Sequence, residues 1–320
     1  AVAILLPATL FMGLSFPLAT RLYMGDVQRL DRRVGRAYLL ATLGSVAGSI
    51  GAAVVLLPLG GVVRGRLLIA GLNLAVALLV ALSLRRERGP ALGMLGVSTV
   101  LVLALGLTLP GTLPVRGENL VEQRPLEEIF LREGDVATVQ VLRDRTNHAQ
   151  LAMAIDGFKI GWSEAFRGTD HHLKQVILAD LPMVLDTRTR STLSVGLGSA
   201  ATLATLASYP RIERLECVEI SAAVVEASRL FEESRVLADP RADLAVDDAV
   251  HHLLRSDRRY DLVASDGKQD PFFSGNANLL CLEFYQYVAE HLTEQGLLVQ
   301  WFPLGTLDSD LRTIVATLCT

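Results

Sequence analysis

Four long runs without a single charged residue dominate the first third of the chain: residues 1–20, 38–58, 67–84 and 91–109. Each is close to the roughly 20 apolar residues that cross about 30 Å of hydrocarbon as a helix. The pattern changes after Pro110, Gly111 and Pro114. Between 127 and 158, the short runs EEIFLREG, ATVQVLRD and AQLAMAIDGF are separated by turn residues at Gly134–Asp135, Asp144 and Asn147, which predicts a small antiparallel sheet. Residues 169–186 read as a helix ending near Pro182. From 191 onward, apolar strands at 192–197, 214–220, 242–246, 260–265 and 296–302 alternate with helices at 199–208, 221–234, 248–255 and 280–292. That alternation predicts an α/β fold with a doubly wound, Rossmann-like parallel sheet.

The expected organisation is therefore a transmembrane helical region over 1–110 with about four spans, a linker with a small β-sheet and helix over 111–186, and a Rossmann-like domain over 187–320. Gly44, Gly48 and Gly51 would give the second span a small-residue face for close helix packing. The opening run lacks a charged start and a small-residue cleavage site, so it does not read as a signal peptide. The sequence is expected to be a fragment, with a closing pair of strands lying past residue 320.

Charge divides the chain in the same way. Residues 1–110 hold ten arginines and three acids, whereas residues 111–320 hold twenty basic and thirty-one acidic residues. A mean hydropathy of +0.38 is thus an average of two unlike halves. The acidic half excludes a nucleic-acid partner, which needs a basic footprint; it suits a small cationic substrate. Cys217, Cys281 and Cys319 have no metal-ligand spacing, and the pairs His171–His172 and His251–His252 have no ligating partners near them in sequence. No metal is assigned.

The candidate chemistry lies at the strand ends. VGLGSA, at 195–200, is a glycine turn before a helix start, which permits positive φ, close backbone approach and free N–H groups. The next strand ends in Glu219, twenty-one residues beyond Gly198, where an acid can accept both hydroxyls of a ribose. Asp247 and Asp248 follow the third strand and can face an adenine amino group; Asp266 and Asp270 follow the fourth. Dinucleotides bind this kind of crevice too, so the pattern alone does not choose the ligand.

From about 127 to 320 the chain resembles the spermidine/spermine synthase (polyamine aminopropyltransferase) family. The likeness rests on VGLGS, CVEISAAVVEASR, DPRADLAVDDAVHHLL, YDLVASD and LLCLEFYQYVAEHLTEQGLLVQW, in that order. With apolar spans in front and LVQWFPLG after the fifth strand, it is most similar to the membrane-fused bacterial branch. The resemblance implies decarboxylated S-adenosylmethionine as co-substrate, no permanently bound cofactor and a small-molecule amine as acceptor. It also implies roles for individual residues. Gly196, Gly198 and Ser199 form the donor loop, Glu219 takes the ribose, and Asp247–Asp248 lie near the adenine. Asp266 is the general base, with Asp270, Gln175 and Asp156 about the amine.

Four departures from the family pattern stand out. Ser199 replaces an acid that meets the donor's amino group. Ile160 replaces a glutamine in Asp156-Gly157-Phe158-Lys159-Ile160. Lys174-Gln175-Val176 lacks the usual tyrosine and acid. The segment 266–271 is one residue longer and carries Lys268, a cation that would repel a polyamine. Packing is the default for Trp162, Phe272, Phe273, Tyr285, Tyr287 and Glu283. Two other functions stay open: an S-adenosylmethionine-dependent methyltransferase, because Ser199 no longer opposes a methionine carboxylate, and a non-catalytic polyamine or nucleoside sensor or transport-coupled module. A homo-oligomer is also open.

A lipid bilayer is the expected partner of the apolar runs, in a bacterial inner membrane. The donor is cytoplasmic, so the soluble domain is expected there. The arginine count disagrees. Arg21, Arg29, Arg32, Arg33 and Arg36 in the first gap and Arg85, Arg86 and Arg88 in the third outweigh Arg64 and Arg66 in the second, which puts the soluble domain outside if all four runs span.

Overall fold

The computed structural model describes residues 10, 13, 30–83, 89, 92–93, 96–100, 126–134, 136–163, 170–266, 278–301 and 308–319. Two compact units divide the chain, Ala1–Ile69 and Ala70–Thr320. Helix α1 (Leu30–Gly51) passes through a π-turn at Ala52–Leu56 into α2 (Leu57–Ser83). The stretch read as a gap between the second and third apolar runs is thus helical, and Gly61 absorbs a kink there at φ 66°. Val34–Leu56 spans 23 residues at a mean hydropathy of 2.0, long and apolar enough to cross a bilayer, whereas Leu67–Leu82 is shorter. Leu39, Leu40, Leu43, Val46 and Ile50 of α1 are all exposed, on more than one face of the helix. Most of the first and fourth apolar runs lies outside the described residues, as do Asp270, Lys268, Phe272 and Phe273.

The small sheet has four antiparallel strands in sequential order: β1 (Leu126–Glu133), β2 (Thr138–Asp144), β3 (Leu151–Ile155) and β4 (Phe158–Trp162). Its fourth strand goes beyond the three runs visible in the pattern. Ile155 pairs with Phe158 across a two-residue turn, Asp156 at φ 50° and Gly157 at φ 83°. Two successive positive φ values are the turn that matches strand twist, and Asp-Gly is a favoured pair for it. Asp156 also accepts a hydrogen bond from the Thr138 amide at 2.9 Å, so its carboxylate belongs to the hairpin.

Helix α3 (Asp170–Leu185) continues through Pro182 and leads to the large sheet. This comprises β5 (Ser191–Val195), β6 (Arg214–Glu219), β7 (Ala242–Val246), β8 (Tyr260–Ser265) and β9 (Leu292–Gln300), all parallel in the order β7-β6-β5-β8-β9. Between β5 and β8 the winding direction reverses. Crevices for ligands in open α/β sheets lie outside the carboxyl ends of the strands at this switch point.

On one face, Ala179 and Met183 of α3 pack with Leu203 and Leu206 of α4 (Ala201–Ala207) against Leu215, Cys217 and Leu262. The other face carries α6 (Ala249–Leu254) and α7 (Leu282–Glu290), which pack against Leu193, Val218, Tyr260 and Val263. The last helix, α8, spans Asp308–Leu318. The small sheet rests on α5 (Ala222–Ser228): Val139, Val141 and Met153 meet Ala223, Val224, Ala227 and Phe231. A fully buried side chain of this size contributes about 1.5–3 kcal/mol. The contact seats the small sheet over the helix that follows Glu219.

Candidate functional site

Three of the five residues from Gly196 to Ala200 have positive φ: Gly196 at 92°, Gly198 at 52° and Ala200 at 68°. Glycine adopts this region without strain, but the alanine does not. The turn is closed by Glu219, at the tip of the neighbouring strand. The Leu197 amide donates to Glu219 Oε2 and the Ser221 amide to Oε1, each at 2.9 Å, while the amides of Gly198 and Ile220 also lie close to the carboxylate. Glu219 is 7% exposed. Burial raises its pKa above the ordinary value, against the downward pull of those four amides. A diol reaching this carboxylate must therefore share oxygens that already hold the glycine turn in shape.

Strand β4 covers the turn from the side. A β-carbon placed on Gly161 would lie 3.2 Å from the Ser199 side chain, and Ile160 approaches Gly198. Gly161→Ala is expected to destabilise the protein by about 1–3 kcal/mol through overpacking, read as a lower denaturant midpoint with an unchanged slope. Ser199 is buried and its Oγ has no hydrogen-bond partner among the described residues; the same holds for Gln175 Oε1, although Gln175 Nε2 donates to the Ile160 carbonyl at 3.4 Å. Buried polar groups are nearly always paired, so two unsatisfied oxygens beside one turn mark a place where a polar ligand would be welcomed.

Asp266 lies just past the end of β8, its amide donating to the Val195 carbonyl at 3.0 Å across the switch point. Thr202 Oγ1 lies 3.4 Å from Asp266 Oδ2 and also 3.4 Å from the Gln175 carbonyl, linking α4, α3 and the strand tip. Burial raises the Asp266 pKa, opposed by the positive charge of Lys174 and the Thr202 hydroxyl. The Lys174 Nζ sits 4.4 Å from the ring centroid of Trp301, at the end of β9. Neither Thr202 nor the Lys174–Trp301 pair was legible as part of a site. The first is one threonine in a helix, and the second joins residues 127 positions apart.

Asp247 and Asp248 follow β7, and the Asp247 amide donates to the Glu219 carbonyl at 3.1 Å. The Asp247 carboxylate pairs with Arg255, and Asp248 Oδ1 caps α6 by accepting from the amides of Val250 and His251. Asp248→Ala is expected to remove about 1 kcal/mol of stability through loss of the cap. A drop in donor affinity beyond tenfold, measured by calorimetry on the folded variant, would add a ligand contact to that capping role.

Below this loop, the buried Glu216 carboxylate gathers His252 Nε2 at 2.8 Å, Arg258 at 2.8 Å and the Tyr260 hydroxyl at 3.1 Å. Burial and the Glu216 charge push the Tyr260 hydroxyl up to about 12. This cluster pins α6 and β8 to β6. The contacts of Asp156 run to Thr138 in the small sheet, and Trp162 is buried against Ala152. Among the described residues, no group of three or more His, Cys, Asp or Glu side chains gathers as a metal site.

A parallel sheet whose glycine turn and acidic tips meet at the switch point defines a Rossmann-like domain of the methyltransferase type. Comparison with known proteins narrows this. Residues 171–301 match the spermine/spermidine synthase domain. The chain is 30% identical over 132 residues to the polyamine aminopropyltransferase of Clostridium perfringens, covering 41% of this chain and 46% of that protein. It is 31% identical over 150 residues to polyamine aminopropyltransferase 1 of Pseudomonas aeruginosa, covering 46% and 50%. The chain thus spans about half the length of the curated relatives it matches. Among solved structures, it shares its fold with a spermidine synthase in complex with the transition-state analogue AdoDATO, at 20% identity and a TM-score of 0.52 over 60% of this chain and 64% of that one. Spermidine synthase from Thermotoga maritima is similar at 19% identity and a TM-score of 0.51, covering 60% and 62%.

Proposed function

We propose that this chain is a transferase of the polyamine aminopropyltransferase type, moving an aminopropyl group from decarboxylated S-adenosylmethionine to an amine. The observation that carries this reading is the pairing of Glu219 and Asp266 on either side of β5, at the carboxyl end of a sheet within a spermine/spermidine synthase domain. Glu219 and the turn it closes would hold the nucleoside, with Ser199 and Asp247–Asp248 along its length. Asp266 would serve the reacting nitrogen, with Gln175 and, outside the described residues, Asp270 nearby. Asp156 is a weaker candidate, since its carboxylate is engaged in the hairpin.

The step is a direct displacement. The lone pair of an uncharged amine forms a bond to the methylene next to the sulfonium. The carbon–sulfur bond breaks, its electron pair neutralises sulfur, and a thioether leaves. The nitrogen sheds one proton, which Asp266 accepts. A base is needed because amines are mostly protonated at neutral pH.

Calorimetric titration of the detergent-solubilised chain with decarboxylated S-adenosylmethionine and with S-adenosylmethionine, each with and without an amine, tests the reading. Tighter binding of the decarboxylated donor, with a thioether product on adding amine, is the expected outcome. Preference for the intact donor would favour methyl transfer instead, a second reading supported by Ser199, which puts a small neutral hydroxyl where a donor carboxylate would otherwise meet an acid. Binding of neither would overturn both.

The apolar N-terminal helices are read as an anchor in a bacterial inner membrane, ahead of a linker and small sheet to residue 186 and a donor domain from 187. The support is Val34–Leu56, with its exposed apolar surface. Release of the chain from membranes by alkaline carbonate would refute the anchor.

A further inference from the structure

The acids at the strand tips are already occupied by protein. Glu219 accepts from the Leu197 and Ser221 amides, Asp247 pairs with Arg255, and Asp248 caps α6. None of these is poised to take the far ammonium of a diamine. Among the described residues, the charged group that does stand beside Asp266 is a cation. Lys174 comes from the turn of α3 whose Gln175 carbonyl reaches Thr202, and Thr202 in turn reaches the Asp266 carboxylate. Its ammonium is held over the Trp301 ring, and the Trp301 amide donates to the Ser265 carbonyl at 3.1 Å, one residue before Asp266. No carboxylate among the described residues lies within ion-pair distance of the Lys174 ammonium. A ring face stabilises the cation without cancelling its charge. The positive charge thus remains available to a ligand.

We infer that Lys174, seated on Trp301 next to Asp266, selects an acceptor whose amine is paired with a carboxylate at its other end, so that the acceptor is an amino acid and not a diamine. The inference rests on the transferase reading above. Asp266 receives the nitrogen end and its proton, Lys174 receives the carboxylate, and the bond changes are those already written. A second ammonium in the same place would meet Lys174 with like charge.

Two probes of matched length separate the possibilities: 4-aminobutanoate and 1,4-diaminobutane. Each is titrated into the detergent-solubilised full chain saturated with 5′-methylthioadenosine, and into the Lys174→Met and Lys174→Glu variants, whose unfolding midpoints confirm folding. Wild type is expected to bind 4-aminobutanoate at least tenfold more tightly than the diamine. Lys174→Met brings the ratio toward one, and Lys174→Glu inverts it. Tighter binding of the diamine to wild type, an unchanged ratio in Lys174→Glu, or binding of neither amine overturns the inference. Turnover with decarboxylated S-adenosylmethionine is followed separately by mass spectrometry. Aminopropylated diamine as the main product sinks the inference and leaves the transferase reading standing, whereas no product from any amine sinks that reading itself.

Discussion

Asp266→Asn is expected to lower the rate of transfer by roughly 10²–10⁴-fold, the usual worth of a positioned general base, while leaving donor affinity within a few-fold of wild type. Single-turnover measurements by mass spectrometry, with calorimetry for the donor, separate the two effects. The same substitution should raise the unfolding midpoint at neutral pH. Burial holds the Asp266 pKa above its ordinary value in the folded chain. Between the unfolded and folded pKa values the folded protein therefore binds more protons, and stability falls as pH rises through that window. Above it, the ionised carboxylate is a net liability that asparagine removes. In wild type, log kcat/KM should climb with pH through the raised pKa, and this acid limb should vanish in Asp266→Asn. A loss of activity together with a loss of stability would instead mark Asp266 as structural.

Glu219→Ala should be the most damaging substitution to the fold. It strands the Leu197 and Ser221 amides in a buried turn that includes an alanine at positive φ. Each unsatisfied buried donor costs about 1–3 kcal/mol, so the pair costs roughly 2–6 kcal/mol. Urea denaturation should show this loss, and donor binding should fall below detection. Glu219→Gln keeps the shape but loses charge-assisted bonds and turns an N–H toward another N–H. It should therefore lie between wild type and Glu219→Ala in both measurements. Equal donor affinity in Glu219→Gln and wild type would count against a ribose contact.

The parallel sheet was readable because its strands are nearly continuous apolar runs at regular spacing, and strand ends fell within a few residues of the observed ones. For β9, the start moved from 296 back to Leu292. There Gly296 lies against the Tyr260 carbonyl and the pairing slips between Tyr260 and Leu262. A slip of register leaves no mark in a hydropathy pattern. The fourth strand of the small sheet escaped notice because Asp156-Gly157 was read for its resemblance to a binding motif when it also has the chemistry of a tight hairpin. At the site, strand-tip acids could be located by position alone. What they touch could not, and this matters for Asp248, which any sequence places beside a nucleoside but which here spends its carboxylate on a helix end. Lys174 and Trp301 meet only because α3 crosses the end of β9, a matter of tertiary packing.

The strand order also sets a length. Glu219 ends β6 and Asp266 follows β8, with β5 between them, and adjacent strands stand about 4.8 Å apart. A molecule that engages both carboxylates must therefore reach across roughly 10 Å. A bare nucleoside docked on Glu219 would stop short of Asp266, and a free amine docked on Asp266 would stop short of Glu219. The sheet acts as a ruler. It admits half-length molecules at one end or the other, and under the transferase reading proposed above it reserves reaction for a ligand long enough to span two strands that never touch each other.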